Sequence, residues 1–408
     1  MIKKKLHESL NINLKKAFKY SHFFKIDILI IVFLFILNFI DYIFYPNFLY
    51  KFQNGWQFND WNVNYQGGFV RRGIAGEFLF YINKFNIDHR YIILLISCIS
   101  FFHIFFNVIK ILQNKKIFYR LFILFNPFGV FYLIQNFEFI FARRDLFYLN
   151  FLIYIGKRKN ISIYFFALFS IFLILNYETF FFMAFLIYYI LTNKDSVNIK
   201  NFQKIILFIL MPLNVLLLTK FSFAQNFEKL CSSINNLNTD ILLNEKNCWG
   251  APHWVKYNPA NRTLTDIKEN FDFINSLEYW FLLFIIFFFA IFLLLEMNEK
   301  TFKLFLLLLL PYFSMFAIAP DWGRVFVLIF FIIFISYSFL QINNQVKFTK
   351  FNSFLFVFPV LINIFINVPT HIFQNINILE IRSLSQLLSD LYDYFYFLFL
   401  NSYILFFK

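Results

Sequence analysis

Glycine is scarce in this chain. Nine glycines and nine prolines in 408 residues leave little material for sharp turns or for many interrupted helices. Charge is scarce as well, at 15% of residues against roughly 25% in ordinary soluble domains. Three cysteines are too few for a disulfide-dense secreted scaffold. The six histidines, His253 and His371 among them, are dispersed rather than grouped at metal-ligand spacing, so no metal is expected. There is no GxxxxGK[ST] loop and no GxGxxG stretch, which argues against an ATP-driven pump or a nucleotide enzyme, and no cofactor is expected. No internal repeat, heptad seam or low-complexity linker divides the chain.

Apolar surface, by contrast, is abundant: 60% of residues are hydrophobic, 24% are aromatic, and 70 are phenylalanine. The excess of Phe, Ile, Asn and Lys together is what an AT-rich coding sequence produces, so it carries no functional argument. Apolar runs near the roughly 20 residues that cross a bilayer recur along the whole length. They predict spans at 26–45, 91–112, 117–135, 139–155, 161–176, 179–192, 204–220, 278–296, 303–319, 325–341, 352–369 and 391–407. The expected fold is therefore all-α: a polytopic integral membrane protein of about twelve transmembrane helices, with residues 1–408 forming a single multi-pass domain.

A net charge of +14 would point to nucleic acid in a soluble protein, but here it must be divided by side of the membrane. Seven lysines in residues 1–25 place the N-terminus in the cytoplasm, with the first helix retained for want of a cleavage site. On alternating topology the connectors carrying Lys115 and Lys116, GKRK at 156–159, Lys194 and Lys200, Lys300 and Lys303, Lys347 and Lys350, and finally Lys408 fall on that same side. Topology thus accounts for the basic excess, both termini are cytoplasmic, and no nucleic-acid partner is needed.

Three outer segments are larger than turns, at about 46–90, 221–277 and 370–390. The second holds Cys231, Cys248, Trp249, His253 and Trp254 on the oxidising side, which makes the two cysteines candidates for a disulfide; Cys98 lies within a span. The third contains ILEIRSLSQLLSDLY, whose apolar spacing suits a helix lying in the interface.

Some charges do not serve topology. Asp60 with Arg71 and Arg72, then Arg143, Arg144 and Asp145 in IFARRDLFYL, Glu178 in LNYETFFF, and Asp321 with Arg324 in APDWGRVF all fall at outer helix ends. Each has an ordinary explanation by itself: snorkelling, a local pair such as Asp321 with Arg324 at i, i+3, or a helix end. Together, arginines kept outside against the positive-inside bias require another reason, and an anion supplies it. Guanidinium groups bind phosphate bidentately, and Gly67 and Gly68 in GGFVRRG suit a close backbone approach or a sharp turn into a helix whose N-terminus favours anions.

At a membrane boundary that anion reads as the diphosphate of a lipid-linked substrate. Glycan transfer from polyprenyl diphosphate needs arginines to stabilise the leaving group and a carboxylate to take the acceptor's proton. The expected roles follow: Arg71, Arg72, Arg143, Arg144 and Arg324 hold the diphosphate, Asp60 is the first candidate base and Glu178 the second, and Asp145 and Asp321 support them. Tyr65, Trp56, Trp61 and Trp322 are placed to stack on sugar faces or to form the ordinary interfacial belt.

This layout of helices, a sizeable outer loop past the middle, and outer arginines resembles the Wzy-type O-antigen and capsule polymerases, and GGFVRRG is similar to stretches in membrane proteins of surface-polysaccharide loci. The resemblance implies a polyprenyl-linked glycan as substrate, membrane lipids and other polysaccharide-assembly proteins as partners, and a bacterial inner membrane as location. The position of Asp60 in the first outer segment also resembles the GT-C superfamily of membrane glycosyltransferases, although QFNDWN at 57–62 has one acidic residue where that superfamily has an adjacent pair. A flippase or transporter of lipid-linked saccharide is the alternative from another class; it calls for charges along a path to the inner leaflet, and only Asp41 and Lys110 stand out as such exceptions.

Overall fold

Apolar runs bounded by Asn, Asp, Pro and Lys fold into helices, and the described residues contain no strand. The computed structural model describes residues 29–37, 39–40, 56–69, 73–85, 87–113, 115–136, 141, 143–157, 224–237, 273–295, 298–313 and 322–342, with single positions at 164, 168, 171, 172, 186, 256 and 368. Arg71, Arg72, Glu178 and Asp321 lie outside the described residues, as does the segment expected at 370–390. The labelled helices are α1 Trp56–Trp61, α2 Gly73–Lys84, α3 His89–Leu112, α4 Ile117–Phe125, α5 Val130–Gln135, α6 Asp145–Lys157, α7 Phe227–Leu237, α8 Phe273–Leu294, α9 Glu299–Phe313 and α10 Trp322–Ile342.

The start of α3 shows how sequence sets a boundary. Asp88 takes an extended conformation and its Oδ1 accepts from the Arg90 backbone N–H at 2.9 Å, satisfying a donor that the first turn leaves unpaired. The Arg90 guanidinium closes on the same carboxylate at 2.5 Å. Burial by itself would raise the Asp88 carboxyl, but these Arg90 hydrogen bonds outweigh it and hold the group below the usual carboxylate range.

The run expected as one span at 117–135 is interrupted. Pro127 has no backbone N–H to continue α4, Asn126 Oδ1 accepts from the Phe128 N–H at 2.9 Å, and the Gly129 N–H closes a turn on the Asn126 carbonyl at 2.9 Å. A Cβ on Gly129 would lie 2.3 Å from the Ile123 carbonyl oxygen, so glycine is required there.

By length and composition, three helical stretches among the described residues are long and apolar enough to cross a membrane: His89–Leu112, Ile117–Ile134 and Trp322–Phe339, with Tyr279–Leu294 as a shorter apolar helix. The described residues fall short of the expected twelve, and the spans expected at 161–176, 179–192, 204–220, 352–369 and 391–407 lie, single positions apart, outside the described residues. The run at 139–155 gives a helix of 13 residues that starts only at Asp145, about 20 Å long and short of a bilayer core. The run at 303–319 is helical to Phe313. Apolar character had predicted spans wherever it persisted, whereas the fold uses some of it to bury helices against one another.

The helices share two ends. At one, here the Asp60 end, α3 begins with the His89 ring 5.6 Å from Phe58, α6 begins at Asp145 bonded to Arg324 of α10, and Trp322 of α10 meets Trp280 of α8 at 5.3 Å. At the opposite end, Lys157 of α6 donates to Asn107 Oδ1 of α3, Gly156 lies under Phe339 of α10, and Tyr119 of α4 donates to the Leu294 carbonyl of α8 at 3.2 Å. Thus α3, α6, α8 and α10 run the same way, with α4 and α9 returning. α10 is apolar on every side and 89% of its spanning window is buried, against 44% for α3, so α10 is central and α3 peripheral. The outward positions of α3 are apolar at Tyr91, Leu95, Ile99 and Phe106 and polar at His103 and Lys110.

Candidate functional site

The stretch from Phe58 to Asn64 is buried throughout, although four of its seven residues are Asn or Asp. Polar groups so placed require partners, and the most consequential comes from the lead-in to α6. Arg144, 1% exposed, donates from Nη2 to the Asp60 backbone carbonyl; its Nε lies 3.4 Å from Asp60 Oδ2, and its guanidinium sits 5.3 Å over the Trp61 ring. The next residue, Asp145, occupies the first turn of α6, where the helix dipole favours a carboxylate, and accepts from Arg324 Nη1 at 2.9 Å. Two carboxylate–arginine pairs, one fully buried and one with its arginine half-buried, are joined through adjacent residues and therefore bind α1, α6 and α10 at one end of the molecule.

A second set of contacts fixes the loop that follows α1. Glu77 of α2 accepts from the Tyr65 backbone N–H at 2.8 Å and from Gln66 Nε2 at 2.9 Å. Ser233 of α7 donates to Asn64 Oδ1 at 3.1 Å, and the Asn226 N–H donates to the Gly67 carbonyl at 2.9 Å. Burial pushes the Tyr65 phenol up to about 12, with the Arg144 charge opposing and Glu77 adding to the rise. Gly67 meets α7, where a Cβ would lie 2.3 Å from the Asn226 carbonyl oxygen, and Gly68 turns the chain at φ 102°. Gly76 of α2 packs on the loop itself, with the Val63 carbonyl oxygen 1.9 Å from where a Cβ would be.

Of the residues expected at the site, the structure joins Asp60 to Arg144 and Asp145 to Arg324, with Tyr65 close enough to feel the Arg144 charge. Arg143 is half-buried beside them. Trp322 packs in an aromatic group with Trp280 and Phe284. Arg324 takes Asp145 as partner, 179 residues away in sequence.

Sequence reasoning missed Glu77, Asn62 and His89. Glu77 sits in an amphipathic helix, where a carboxylate reads as a solvated residue, and its spacing from Tyr65 gives no local signal. Neither amide atom of Asn62 nor ring nitrogen of His89 meets a protein partner, although both side chains are buried. Their burial was not legible from QFNDWN or from a histidine next to Asp88.

Cys231 on α7 is disulfide-bonded and Cys98 is free; Cys248, the other cysteine of the expected pair, lies outside the described residues. Among the described residues no three His, Cys, Asp or Glu side chains are grouped as metal ligands. Chemically, the ionic end offers fixed guanidinium charge beside carboxylates in a site sheltered from water, the combination that anion binding and proton abstraction both use. Comparison of the chain with protein families, curated proteins and solved structures gives no match.

Proposed function

We propose that this chain is a bacterial inner-membrane enzyme of surface-polysaccharide assembly, which polymerises or transfers glycans from polyprenyl-diphosphate-linked donors at the outer face. The observation that carries this reading is the linked set of buried Asp60, Arg144 and Asp145 with half-buried Arg324, at one end of an apolar helical bundle. Two further facts favour that end as the outer one. The disulfide-bonded Cys231 lies on α7, which packs against the same loop, and disulfides persist on the oxidising side. Lys110, Lys115, Lys116, Lys157, Lys300 and Lys303 gather at the opposite end, as the positive-inside rule asks of a cytoplasmic face.

In this reading Arg144 and Arg324, with Arg143, Arg71 and Arg72, stabilise the departing diphosphate, and Asp60 takes the proton of the acceptor hydroxyl, with Glu178 as second choice. The Asp60–Arg144 contact orients the base, while Trp61 keeps water from the pair. The test is a gel profile of surface polysaccharide from cells lacking the protein, compared with cells carrying it back. Loss of the ladder with a single-unit band retained supports a Wzy-type polymerase; loss of every unit favours a GT-C-type transferase; an unchanged profile overturns the assignment. Arg144→Lys, which keeps the charge facing Asp60 but loses the planar fork, is expected to reproduce the deletion profile at normal protein level.

A further inference from the structure

The side of α6 that stays open is polar. Apart from Gly156, the positions of α6 that are not buried are Phe147, Asn150, Tyr154 and Lys157, which recur at i, i+3, i+7 and i+10 and so form one stripe. Half-buried Arg143 lies in the lead-in just before the helix, at the same end as Phe147. Across it, α3 adds polar groups at its own helical spacing: Ser100, His103, Asn107 and Lys110. The two rows are bonded together. His103 Nδ1 and Asn150 Oδ1 are 2.6 Å apart, Asn150 Nδ2 donates to the Ser100 carbonyl at 3.2 Å, Asn107 Nδ2 donates to the His103 carbonyl at 2.5 Å, and Lys157 donates to Asn107 Oδ1.

This seam has a floor and a rim. Ser100 and Asn107 are buried, Asn150 is half-buried, and His103, Lys110 and Lys157 are exposed beside apolar Ile99 and Phe106. A seam serving only to join α3 to α6 would bury its polar atoms between the helices, as interhelical hydrogen bonds in membranes do. Here His103 and Lys157 stay exposed although Asn150 and Asn107 bond them, and Lys110 is exposed with them, on or against a helix long and apolar enough to cross a bilayer, a placement that is costly unless their open sides meet something polar. From Asp145 to Lys157 is 12 residues, about 18 Å of helical rise, with Arg143 just before it, so the row covers somewhat over half of a hydrocarbon core of about 30 Å. Cations stand at both limits, hydrogen-bonding groups lie between, and apolar side chains flank the row.

We propose that the α3–α6 seam is a track along which the phosphate headgroup of a membrane lipid passes between leaflets while its tails stay in the bilayer. The cations at either end draw the anionic headgroup in, and Asn150, His103 and Asn107 replace its water midway. No covalent step is involved, and the activity stands without the glycan-transfer reading, since lipid crossing requires neither donor nor acceptor.

The test reconstitutes the full chain into vesicles of phosphatidylcholine and phosphatidylglycerol carrying a trace of NBD-phosphatidylglycerol, and adds dithionite, which bleaches only outer-leaflet dye. Wild-type protein is expected to carry inner-leaflet dye to the reductant, so that bleaching runs to completion. Asn150→Leu and His103→Leu are expected to slow that second phase about tenfold, the scale of a lost polar step. Lys157→Gln, at an exposed position that tolerates the change, is expected to abolish the preference for NBD-phosphatidylglycerol over NBD-phosphatidylcholine. Bleaching confined to the outer leaflet, as in protein-free vesicles, overturns the proposal, and so does crossing at the wild-type rate and selectivity in all three variants.

Discussion

At the Asp60 end, Arg144 and Asp60 meet with side chains 0% and 3% exposed; at the opposite end, Lys303 and Glu299 meet one turn apart on α9 with side chains 72% and 71% exposed. Both are contacts between a cation and a carboxylate, yet only the first holds distant parts of the chain together, since Asp60 and Arg144 are 84 residues apart. In water the Coulomb gain of a pair is offset by screening and side-chain entropy, whereas inside the bundle each charge depends on its partner for solvation. The buried pair is therefore distinguished less by its net contribution than by the cost of breaking it. The end that carries this costly-to-break pair is the one proposed to bind the diphosphate.

The largest effect expected is from Arg144→Met. It leaves the Asp60 carboxylate buried without its guanidinium and is expected to cost about 3–5 kcal/mol, measured by denaturant titration in detergent micelles. The double variant Asp60→Asn with Arg144→Met removes the stranded charge and is expected to recover part of that loss. If the single variant unfolds at the wild-type midpoint, the two ends do not differ in the way argued above.

Next comes the packing that supports the buried pair. Gly76→Ala places a Cβ 1.9 Å from the Val63 carbonyl oxygen, a backbone atom that cannot swing aside. Overpacking of this kind costs about 1–3 kcal/mol, and it displaces the loop that carries Asp60 on its N-terminal side. The expected signature is a lower unfolding midpoint together with weaker activity in the polysaccharide assay, while a wild-type midpoint refutes the claim that α2 clamps the loop.

A smaller effect concerns protons. Tyr65 has its phenol raised from 10.0 to about 12 because burial disfavours the phenolate. The folded value exceeds the unfolded one, so this group's contribution to stability is complete below pH 10 and is lost as pH rises through 12. Difference absorbance between wild type and Tyr65→Phe isolates this one phenol among 23 tyrosines; ionisation near pH 10 shows that the loop is open to water.

How much of this was legible beforehand depends on the kind of information a residue carries. Asp60, Arg144, Asp145 and Arg324 were picked out because charge at the edge of apolar runs is conspicuous in one dimension. Their pairing was not, since Arg324 has a carboxylate three residues away at Asp321 in sequence, and nothing local points to its bond with Asp145, 179 residues away. Gly67 and Gly68 were visible as a pair, but whether they approach a ligand or another helix is decided by α7, and the tight packing of Gly76 on the loop by α2, neither of which the local sequence encodes. The run at 139–155 reads as a full span in sequence for a related reason: a run of Phe, Ile and Leu looks the same whether lipid or a neighbouring helix covers it.

The smallest effect expected lies at the lysine end and tests the other half of the comparison. Glu299 is held below the usual carboxylate range, first by the Lys303 hydrogen bond and then by its charge. A lowered folded value stabilises above the unfolded carboxylate pKa and is lost as pH falls through the folded one. Because both side chains are solvated, salt screens the interaction and the lysine has many alternative orientations of similar energy. Glu299→Gln is therefore expected to leave the unfolding midpoint unchanged at neutral pH and physiological salt. A clear drop in that midpoint, relieved by neither salt nor acid, means that the pair is shielded from water like the pair at the Asp60 end, and exposure is then not what separates the two.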